Sequence, residues 1–213
     1  MAKTAGAFAR GKPCLKPQPQ VLVFCEDSKS SRQYLEDAND YFRSFTSVRV
    51  SHCGKTDPIG IVREAIAACS KEYEFAYCVV DRDTHPSFND AVQFANQHLE
   101  RIKLVVSYPC YEFWLLLHFR KTRKSYTRAG RFSAGDLVIK DLIAAHPIMH
   151  GYEKGEAVGL FYSLLDRFPN AKKWSEQILE EAGMDGEPNP STCIHLLMDR
   201  LHELGQPGKI NNV

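Results

Sequence analysis

Several features that would point to particular kinds of protein are missing from this sequence. No apolar run approaches the roughly 20 residues that a membrane-spanning helix needs. The first twenty residues lack the hydrophobic stretch of a secretory signal. No segment repeats with a period of 20 to 50 residues, which argues against a solenoid or a propeller. The sequence therefore predicts a cytoplasmic protein that makes no contact with a membrane.

The seven cysteines form neither a disulfide pattern nor a zinc pattern. There is no CxxC pair, and no cysteine or histidine spacing matches a zinc site. Cys25 and Cys78 lie inside apolar runs, where a thiol packs as a small hydrophobic group. We therefore expect free thiols in a reducing compartment.

The overall charge gives no indication of a polyanionic partner. The 27 lysines and arginines nearly cancel the 26 acids, which leaves a formal net charge of +1. Any nucleic-acid site must therefore be a local patch. Residues 1–20 carry basic residues and prolines but no acid, and we predict that they form a disordered tail.

Short apolar runs alternate with helical patterns in the first half of the chain. The runs are VLVFCE (21–26), VRVSHC (48–53), FAYCVVDRD (75–83) and KLVVSYP (103–109). Helical patterns lie between them, and their predicted caps are the serines at 28, 30 and 31, Asp57 before Pro58, and Ser87. This alternation is typical of right-handed βαβ units. The sequence predicts an α/β fold with a parallel four-stranded sheet flanked by helices.

The pattern becomes helical after Tyr111. The dense apolar run YEFWLLLHF (111–119) predicts a buried helix. Further helices are predicted over 135–146, 155–168, 171–182 and 191–204, with Ser191 capping the last. We divide the chain into the tail (1–20), an α/β core (21–119) and a C-terminal helical elaboration packed on the core (120–213).

Three acidic residues stand at the ends of predicted strands. Glu26 ends the first strand, and Asp81 and Asp83 end the third. Ligands of parallel sheets bind beyond the carboxyl ends of the strands, so we expect these carboxylates to converge. Their mutual repulsion favours a divalent cation, and oxygen ligands without His or Cys favour Mg²⁺ or Mn²⁺ over zinc. The alternative is that the acids cap helices or form surface salt bridges.

The segments around these acids resemble a known family. FCEDSKS together with VVDRD resembles the Toprim domain, which has a Glu after its first strand and DxD after its third. Five segments in order resemble the RloB-like family more closely: VFCEDSKS, GKTDP (54–58), VVDRDTHPSFNDA, YPCYEFWLLLHF and NPST (189–192). The resemblance extends from Val21 to about Leu204. It implies a Toprim (Rossmann-like) fold and a role in bacterial phage defence beside an ATPase partner.

The resemblance also implies roles for individual residues. It implies that Glu26, Asp81 and Asp83 bind Mg²⁺. By likeness to the S-x-E motif of OLD-type Toprim nucleases it adds Glu112, with Cys110 where those relatives often have Ser. Lys154, in GYEKGEA, resembles a family position and is a candidate to reach a phosphate as a point charge; its alternative is a solvated loop lysine. The alternative for Glu112 is a buried carboxylate that bonds backbone amides at a helix start.

Basic and aromatic residues provide candidate contacts with a nucleic acid. Lys29, Arg82 and His85 are close to the acids along the chain. The segment KTRKSYTRAGR (121–131) has five basic residues and no acid. Its candidate contacts are Lys121, Arg123, Lys124, Arg128 and, by stacking on a base, Tyr126. The alternative for each of these residues is a solvated surface position.

These observations predict a Mg²⁺-dependent nuclease that cuts DNA or RNA, with tRNA among its candidate substrates. Its predicted setting is anti-phage defence with an ATPase subunit. One alternative is a receiver-like phospho-acceptor domain, because Glu26, Asp81 and Ser107 occupy similar positions; the sequence lacks the fifth strand ending in Lys that a receiver needs. The other is a non-catalytic, metal-binding subunit of an ATPase complex. The oligomeric state is not predicted.

Overall fold

The computed structural model describes residues 20–82, 85–155 and 158–206. The strands within these ranges are β1 (Val21–Cys25), β2 (Val48–Ser51), β3 (Phe75–Asp81), β4 (Ile102–Tyr108) and β5 (Ser191–Thr192). The helices are α1 (Ser30–Tyr41), α2 (Pro58–Cys69), α3 (Phe88–Asn96), α4 (Glu112–Leu116), α5 (Ala134–Ala145), α6 (Leu160–Ser163), α7 (Phe168–Asp185) and α8 (Ile194–Leu204). Short 3₁₀ turns occur at Ser44–Thr46, Pro147–Met149 and Leu165–Arg167. The predicted tail lies outside the described residues except for residue 20.

The five strands form one sheet in the order β2-β1-β3-β4-β5. The first four are parallel, and β5 pairs antiparallel with β4. The chain moves from β1 outward to β2 and then returns to the other side of β1 for β3. The junction of β1 and β3 is therefore the switch point of the sheet, beyond which such folds bind ligands. The predicted α/β fold with a helix-flanked sheet is confirmed, and the sheet is mostly parallel.

The sheet has one strand more than predicted. β5 is only two residues long and is held to β4 by side chains as well as backbone. The hydroxyls of Thr192 and Ser107 lie 2.8 Å apart, and the Cys193 amide donates to the Val106 carbonyl. Ser191 thus lies in a strand, and α8 begins later at Ile194, so the prediction that Ser191 caps the last helix is wrong. A two-residue strand leaves no periodic pattern in the sequence.

Both faces of the sheet are covered by apolar helices. Alternate residues of a strand point to opposite faces, so Val23 of β1 contributes to one apolar cluster and Leu22 to the other. One cluster includes Tyr34 of α1 and Trp114 of α4, and the other includes Ile61 of α2. Burial on both faces explains why the strands are almost continuous apolar runs. No helix within the described ranges is both apolar and long enough to cross a bilayer.

The first cluster also contains residues from beyond the predicted core. Phe161 of α6 and Ile178 of α7 are fully buried in it together with Trp114. The C-terminal helices therefore share apolar packing with the α/β part of the chain. The division at residues 119 and 120 stays a prediction.

The predicted capping residue is observed at the start of α2 but not at the start of α1. Asp57 caps α2 as predicted, because its carboxylate accepts a hydrogen bond from the Gly60 amide at 2.8 Å. At α1 the predicted serine caps are wrong. The carboxylate of Asp27 accepts the amides of Lys29 and Ser31 instead, at 2.8 and 3.0 Å. Asp27 thus satisfies two backbone amides at the start of α1 that the helix itself leaves without partners.

The predicted helix over 155–168 is mostly absent from the described residues of that range. Gly155 and Gly159 have φ angles of +102° and +69°, which lie in the left-handed region and interrupt a right-handed helix. Only the single turn of α6 and a 3₁₀ turn follow. The predicted buried helix in YEFWLLLHF is confirmed as α4, which is enclosed on all sides.

His118, just after α4, is a buried residue that couples stability to pH. Its Nε2 accepts a hydrogen bond from the Tyr34 hydroxyl at 3.0 Å, and its Nδ1–H donates to the Trp114 carbonyl at 3.1 Å. Both ring nitrogens of the neutral imidazole thus have hydrogen-bond partners, and burial lowers the pKa of His118 to about 4. The unfolded chain takes up this proton near pH 6.5, and the folded chain does so only near pH 4. The free energy of unfolding should therefore fall by about 3 kcal/mol as the pH drops through this window.

We expect urea melts of the wild type at pH 7 and pH 4.5 to show this loss. His118→Gln should have lower stability at pH 7 but a weaker dependence on pH. His150→Gln, at an exposed position, serves as the matched control and should keep the wild-type dependence. An equal pH dependence in wild type and His118→Gln would contradict this role.

Candidate functional site

Two of the predicted acids meet at the switch point of the sheet. Glu26 directly follows β1, and Asp81 is the last residue of β3. The carboxylate of Glu26 accepts a hydrogen bond from the Asp81 amide at 2.8 Å. The Glu26 amide in turn donates to the Val79 carbonyl at 3.0 Å. These bonds hold the Glu26 side chain against the end of β3. Asp83, the third predicted ligand, lies outside the described residues.

The carboxyl of Asp81 is in an unfavourable environment for its charge. Burial raises its pKa well above the ordinary value. The nearby carboxyls of Glu112 and Glu26 raise the pKa further, and Lys154 partly offsets them. Desolvation and like charges act in the same direction here, which is the electrostatic condition that a bound cation would relieve.

Glu112 adds a third carboxylate to this region. It is the first residue of α4, its side chain is only 1% exposed, and its Oε1 accepts the Tyr152 hydroxyl at 3.4 Å. Its Oε2 is buried without a hydrogen-bond partner in the described part of the chain. The alternative in which Glu112 bonds backbone amides is therefore not what the structure shows. A buried carboxylate oxygen in this state would be stabilised by a cation, a proton or a further hydrogen-bond donor.

Lys154 brings a positive charge to the same carboxylates. Its partial burial acts to lower the pKa of the ammonium, but the carboxyls of Glu112 and Asp81 outweigh this, and the net direction is upward. Lys154 therefore stays protonated at neutral pH. Its loop is docked on α1, since the Gly155 amide donates to the hydroxyl of Ser30 at 2.7 Å.

The donor types of the three described acids fit a hard divalent cation. Glu26, Asp81 and Glu112 offer carboxylate oxygens, and one oxygen of Glu112 lacks a partner among the described residues. In their present positions, however, no three His, Cys, Asp or Glu side chains of residues 20–82, 85–155 and 158–206 form a group that could hold a metal ion. Closing a ligand set thus requires side-chain movement or the contribution of Asp83.

A pocket of about 340 Å³ opens beside Asp81. Lys154 and Cys110 line it next to the acids, and Tyr108 and Arg128 line it farther out. Arg82 also borders it, and its guanidinium lies over the rings of Tyr108 and Phe88 at 4.9 and 5.3 Å from their centroids. The structure therefore places two arginines and a lysine around one opening at the carboxyl edge of the sheet.

Most of the predicted basic contact segment is engaged within the protein. Three of its basic residues pair with carboxylates: Lys121 with Glu181 (2.6 Å), Arg123 with Asp185 (2.7 Å) and Lys124 with Asp141 (2.7 Å). Their side chains fasten the segment to α5 and α7. The composition of the segment thus overstates the positive charge that it offers to a nucleic acid.

Tyr126, the predicted stacking residue, is buried and bonded within the protein. Its side chain is 1% exposed, and its hydroxyl donates to Asp141 at 2.8 Å. The ring is packed in the apolar cluster and also borders the pocket beside Asp81, so its observed role is structural and base stacking stays a prediction.

The remaining candidate contacts lie near the acids but have local roles as well. The Nδ1 of His85 accepts the Ser87 amide at 3.3 Å, just before α3. Lys29 is exposed, and its stem packs so closely on Gly155 that an added Cβ there would lie 3.1 Å from Lys29 Cδ. Contact of Lys29 or His85 with a phosphate stays a prediction.

Sequence reasoning missed several residues that build the site. Tyr152 bonds Glu112, and Ser30 anchors the loop of Lys154. Asn189 accepts the Tyr126 amide at 3.1 Å and donates to the Tyr126 carbonyl at 2.7 Å. Asn189 and Tyr152 stand in motifs noted for other reasons, NPST and GYEKGEA, and their pairing partners lie tens of residues away. Of these residues, Asn189 is the one that a sequence motif, NPST, could have marked as a residue with a structural contact.

The fold and the site together define an α/β protein with an acidic centre at the switch point of a mostly parallel sheet. The model of a family described as RloB-like protein matches residues 21–201. The chain therefore belongs to the RloB-like protein family, and the resemblance carried by its five segments is confirmed. No curated protein and no solved structure matches the chain.

Proposed function

We propose that this protein is a Mg²⁺-dependent nuclease of the Toprim type that cuts phosphodiesters of DNA or RNA. Its setting would be bacterial anti-phage defence, with an ATPase subunit as partner. The observation that carries the proposal is the buried Oε2 of Glu112, which has no partner in the described part of the chain and belongs to the carboxyl cluster around Asp81. The strand order β2-β1-β3-β4, with acids after β1 and at the end of β3, supports the Toprim assignment.

Four acids would hold the metal. Glu26, Asp81 and Glu112 converge on the carboxyl edge of the sheet, and the sequence adds Asp83. The chemistry that a bound Mg²⁺ supplies is polarisation of a phosphoryl oxygen and a lowered pKa of a coordinated water. Glu26 is held rigidly by its bond to the Asp81 amide, which suits a ligand or a proton acceptor at a fixed place.

Lys154 has a different part in this proposal. Because neighbouring carboxyls raise its pKa, it acts as a fixed positive charge and not as a general base. It lines the pocket beside Asp81, where it would neutralise a phosphate group that approaches the acids. The substrate is then attracted to the cluster despite the negative charge of the carboxylates.

The receiver-like alternative has little support from the structure. The hydroxyl of Ser107 is buried and lies 2.8 Å from that of Thr192, so it is not available to a phosphoryl group. The fifth strand is two residues long and antiparallel, whereas a receiver needs a parallel fifth strand that ends in Lys. The non-catalytic alternative shares the same metal centre and differs only in the absence of cleavage.

A cleavage assay separates the remaining possibilities. The protein, alone and with a candidate ATPase subunit, is incubated with single-stranded DNA, duplex DNA and tRNA in Mg²⁺, Mn²⁺ or EDTA. We expect cleavage that depends on the metal. If no substrate is cut under any of these conditions, the nuclease proposal is wrong and the non-catalytic role takes its place.

A further inference from the structure

The pocket beside Asp81 has the size and position of a ligand subsite. It lies at the carboxyl ends of β3 and β4, between Pro109 and the start of α5. Its volume of about 340 Å³ falls within the usual range of small-ligand pockets. It is concave, and Asp81 and Lys154 lie in its wall. A group bound there would touch the acidic centre.

Two arginines at this pocket form no ion pair with the described residues 20–82, 85–155 and 158–206. Arg82 contacts two aromatic rings, and Arg128 donates a long hydrogen bond from Nε to the Gly130 carbonyl at 3.4 Å. Within the described ranges neither of them pairs with a carboxylate. A guanidinium in this state offers a planar set of donors that matches a phosphate.

Contacts of Arg123 and Tyr126 anchor the segment that carries Arg128. Arg123 donates to the carbonyls of Pro190 and Glu187, both at 2.9 Å, and pairs with Asp185. Asn189 makes two hydrogen bonds with the backbone of Tyr126, two residues before Arg128. The segment that carries Arg128 is therefore fastened to the loop before β5. Fastening of this kind reduces the ordering cost of binding.

The start of α5 adds further positive potential to the pocket. Ser133 and Gly135 line it, and the positive end of the helix dipole lies there. The carboxylate of Asp136 is committed to the Ser133 amide at 2.8 Å in a capping box. Two guanidinium groups, an ammonium and a helix start thus surround one opening.

We propose that this pocket is the subsite for a single unpaired nucleotide of the substrate strand, with its phosphate bound by Arg82 and Arg128. The inference rests on the proposed function, because it names the substrate of the same site as single-stranded nucleic acid. A nucleotide can enter a concave pocket only when it is not stacked and paired inside a duplex. The ion-paired residues Lys121 and Lys124 do not contribute to this contact.

The test measures binding of a fluorescent 12-nucleotide single strand, and of the same sequence as a duplex, to the full chain in EDTA. We expect the single strand to bind more tightly than the duplex. Arg82→Gln and Arg128→Gln should each weaken single-strand binding about tenfold at low salt, since a hydrogen-bonded charge contact is lost. Each should also flatten the slope of log affinity against log salt by about 0.7.

Arg131→Gln provides the matched control. It removes the same charge from an exposed side chain three residues along the chain, but Arg131 does not line the pocket. Its binding should stay within about twofold of the wild type, because its charge acts only at long range. Arg82→Lys, which retains the charge, should bind better than Arg82→Gln, and thermal melts check that each variant is folded. An effect of Arg131→Gln equal to that of Arg128→Gln, or tighter binding of the duplex, would overturn the subsite.

Because the binding test is run in EDTA, its result does not depend on metal-dependent cleavage, and the two proposals can fail separately. If binding depends on Arg82 and Arg128 but no substrate is ever cut, the subsite stands and the nuclease proposal fails. If cleavage occurs while both variants bind the single strand like the wild type, the subsite fails alone.

Discussion

Replacing Asp81 by Asn should abolish metal-dependent cleavage of nucleic acid and leave the protein folded. Changes in residues that merely support a metal ligand already cost 10- to 100-fold, so loss of a ligand itself should cost about a thousandfold or more. Burial and the carboxyls of Glu112 and Glu26 raise the pKa of Asp81, which means that its ionised form is unfavourable in the metal-free protein. Asn carries no charge, and we therefore expect an equal or higher melting temperature in EDTA.

The control for this variant is Asp40→Asn. Asp40 is exposed and lies near the end of α1. Because α1 begins at the carboxyl edge of the sheet and runs away from it, Asp40 is far from the acids. The control removes the same charge and should cleave like the wild type. Glu26→Gln should behave like Asp81→Asn, and the sequence predicts the same for Asp83→Asn. Cleavage by Asp81→Asn at the wild-type rate would show that the reaction does not use this acid.

The second large effect concerns Glu112 and the stability gained from metal. A ligand that binds only the folded state at a hundredfold excess over its Kd stabilises it by about 2.7 kcal/mol. For a chain of this size that corresponds to a rise in melting temperature of about 5 to 10 °C. Glu112→Gln should lose most of this rise, because the buried Oε2, which has no hydrogen-bond partner among the described residues, is the oxygen best placed to gain from a cation.

The matched control is Glu100→Gln, at an exposed turn residue just before β4 and so at the opposite edge of the sheet. It should gain as much stability from Mg²⁺ as the wild type does. Asp81→Ala should resemble Glu112→Gln. A full metal-induced rise in Glu112→Gln would exclude this residue as a ligand and return it to a structural role beside Tyr152.

The sequence predicted the α/β part of the fold because each element there has a local cause. The four parallel strands are apolar runs of the length that a doubly covered sheet requires, and Asp57 before Pro58 is a strong start for α2. β5 could not be predicted in this way. Its two residues are ordered by contacts with β4 that depend on tertiary structure, among them the hydroxyl pair of Thr192 and Ser107.

The candidate site could also be predicted only in part, where its residues follow from local sequence patterns. The strand ends located Glu26 and Asp81, since parallel strands present their carboxyl ends at one edge. Glu112 came from resemblance alone, and the burial of its Oε2 away from any described hydrogen-bond partner depends on tertiary structure. The ion pairs of the basic segment could not be predicted, because the carboxylates that neutralise Lys121 and Arg123 lie about 60 residues farther along the chain. Local composition contains no trace of such partners.

The central claim is that the carboxylates at the switch point of the sheet form a divalent metal centre. Titration of the protein with Mn²⁺, followed by the electron paramagnetic resonance signal of the free ion, counts the bound ions directly and needs no substrate or partner. We expect the wild type to bind at least one Mn²⁺ that Mg²⁺ displaces, and Asp81→Asn and Glu112→Gln to bind it far more weakly. If the wild type leaves the free Mn²⁺ signal unchanged, or if both variants bind as many ions as tightly as the wild type, the acids do not form a metal centre.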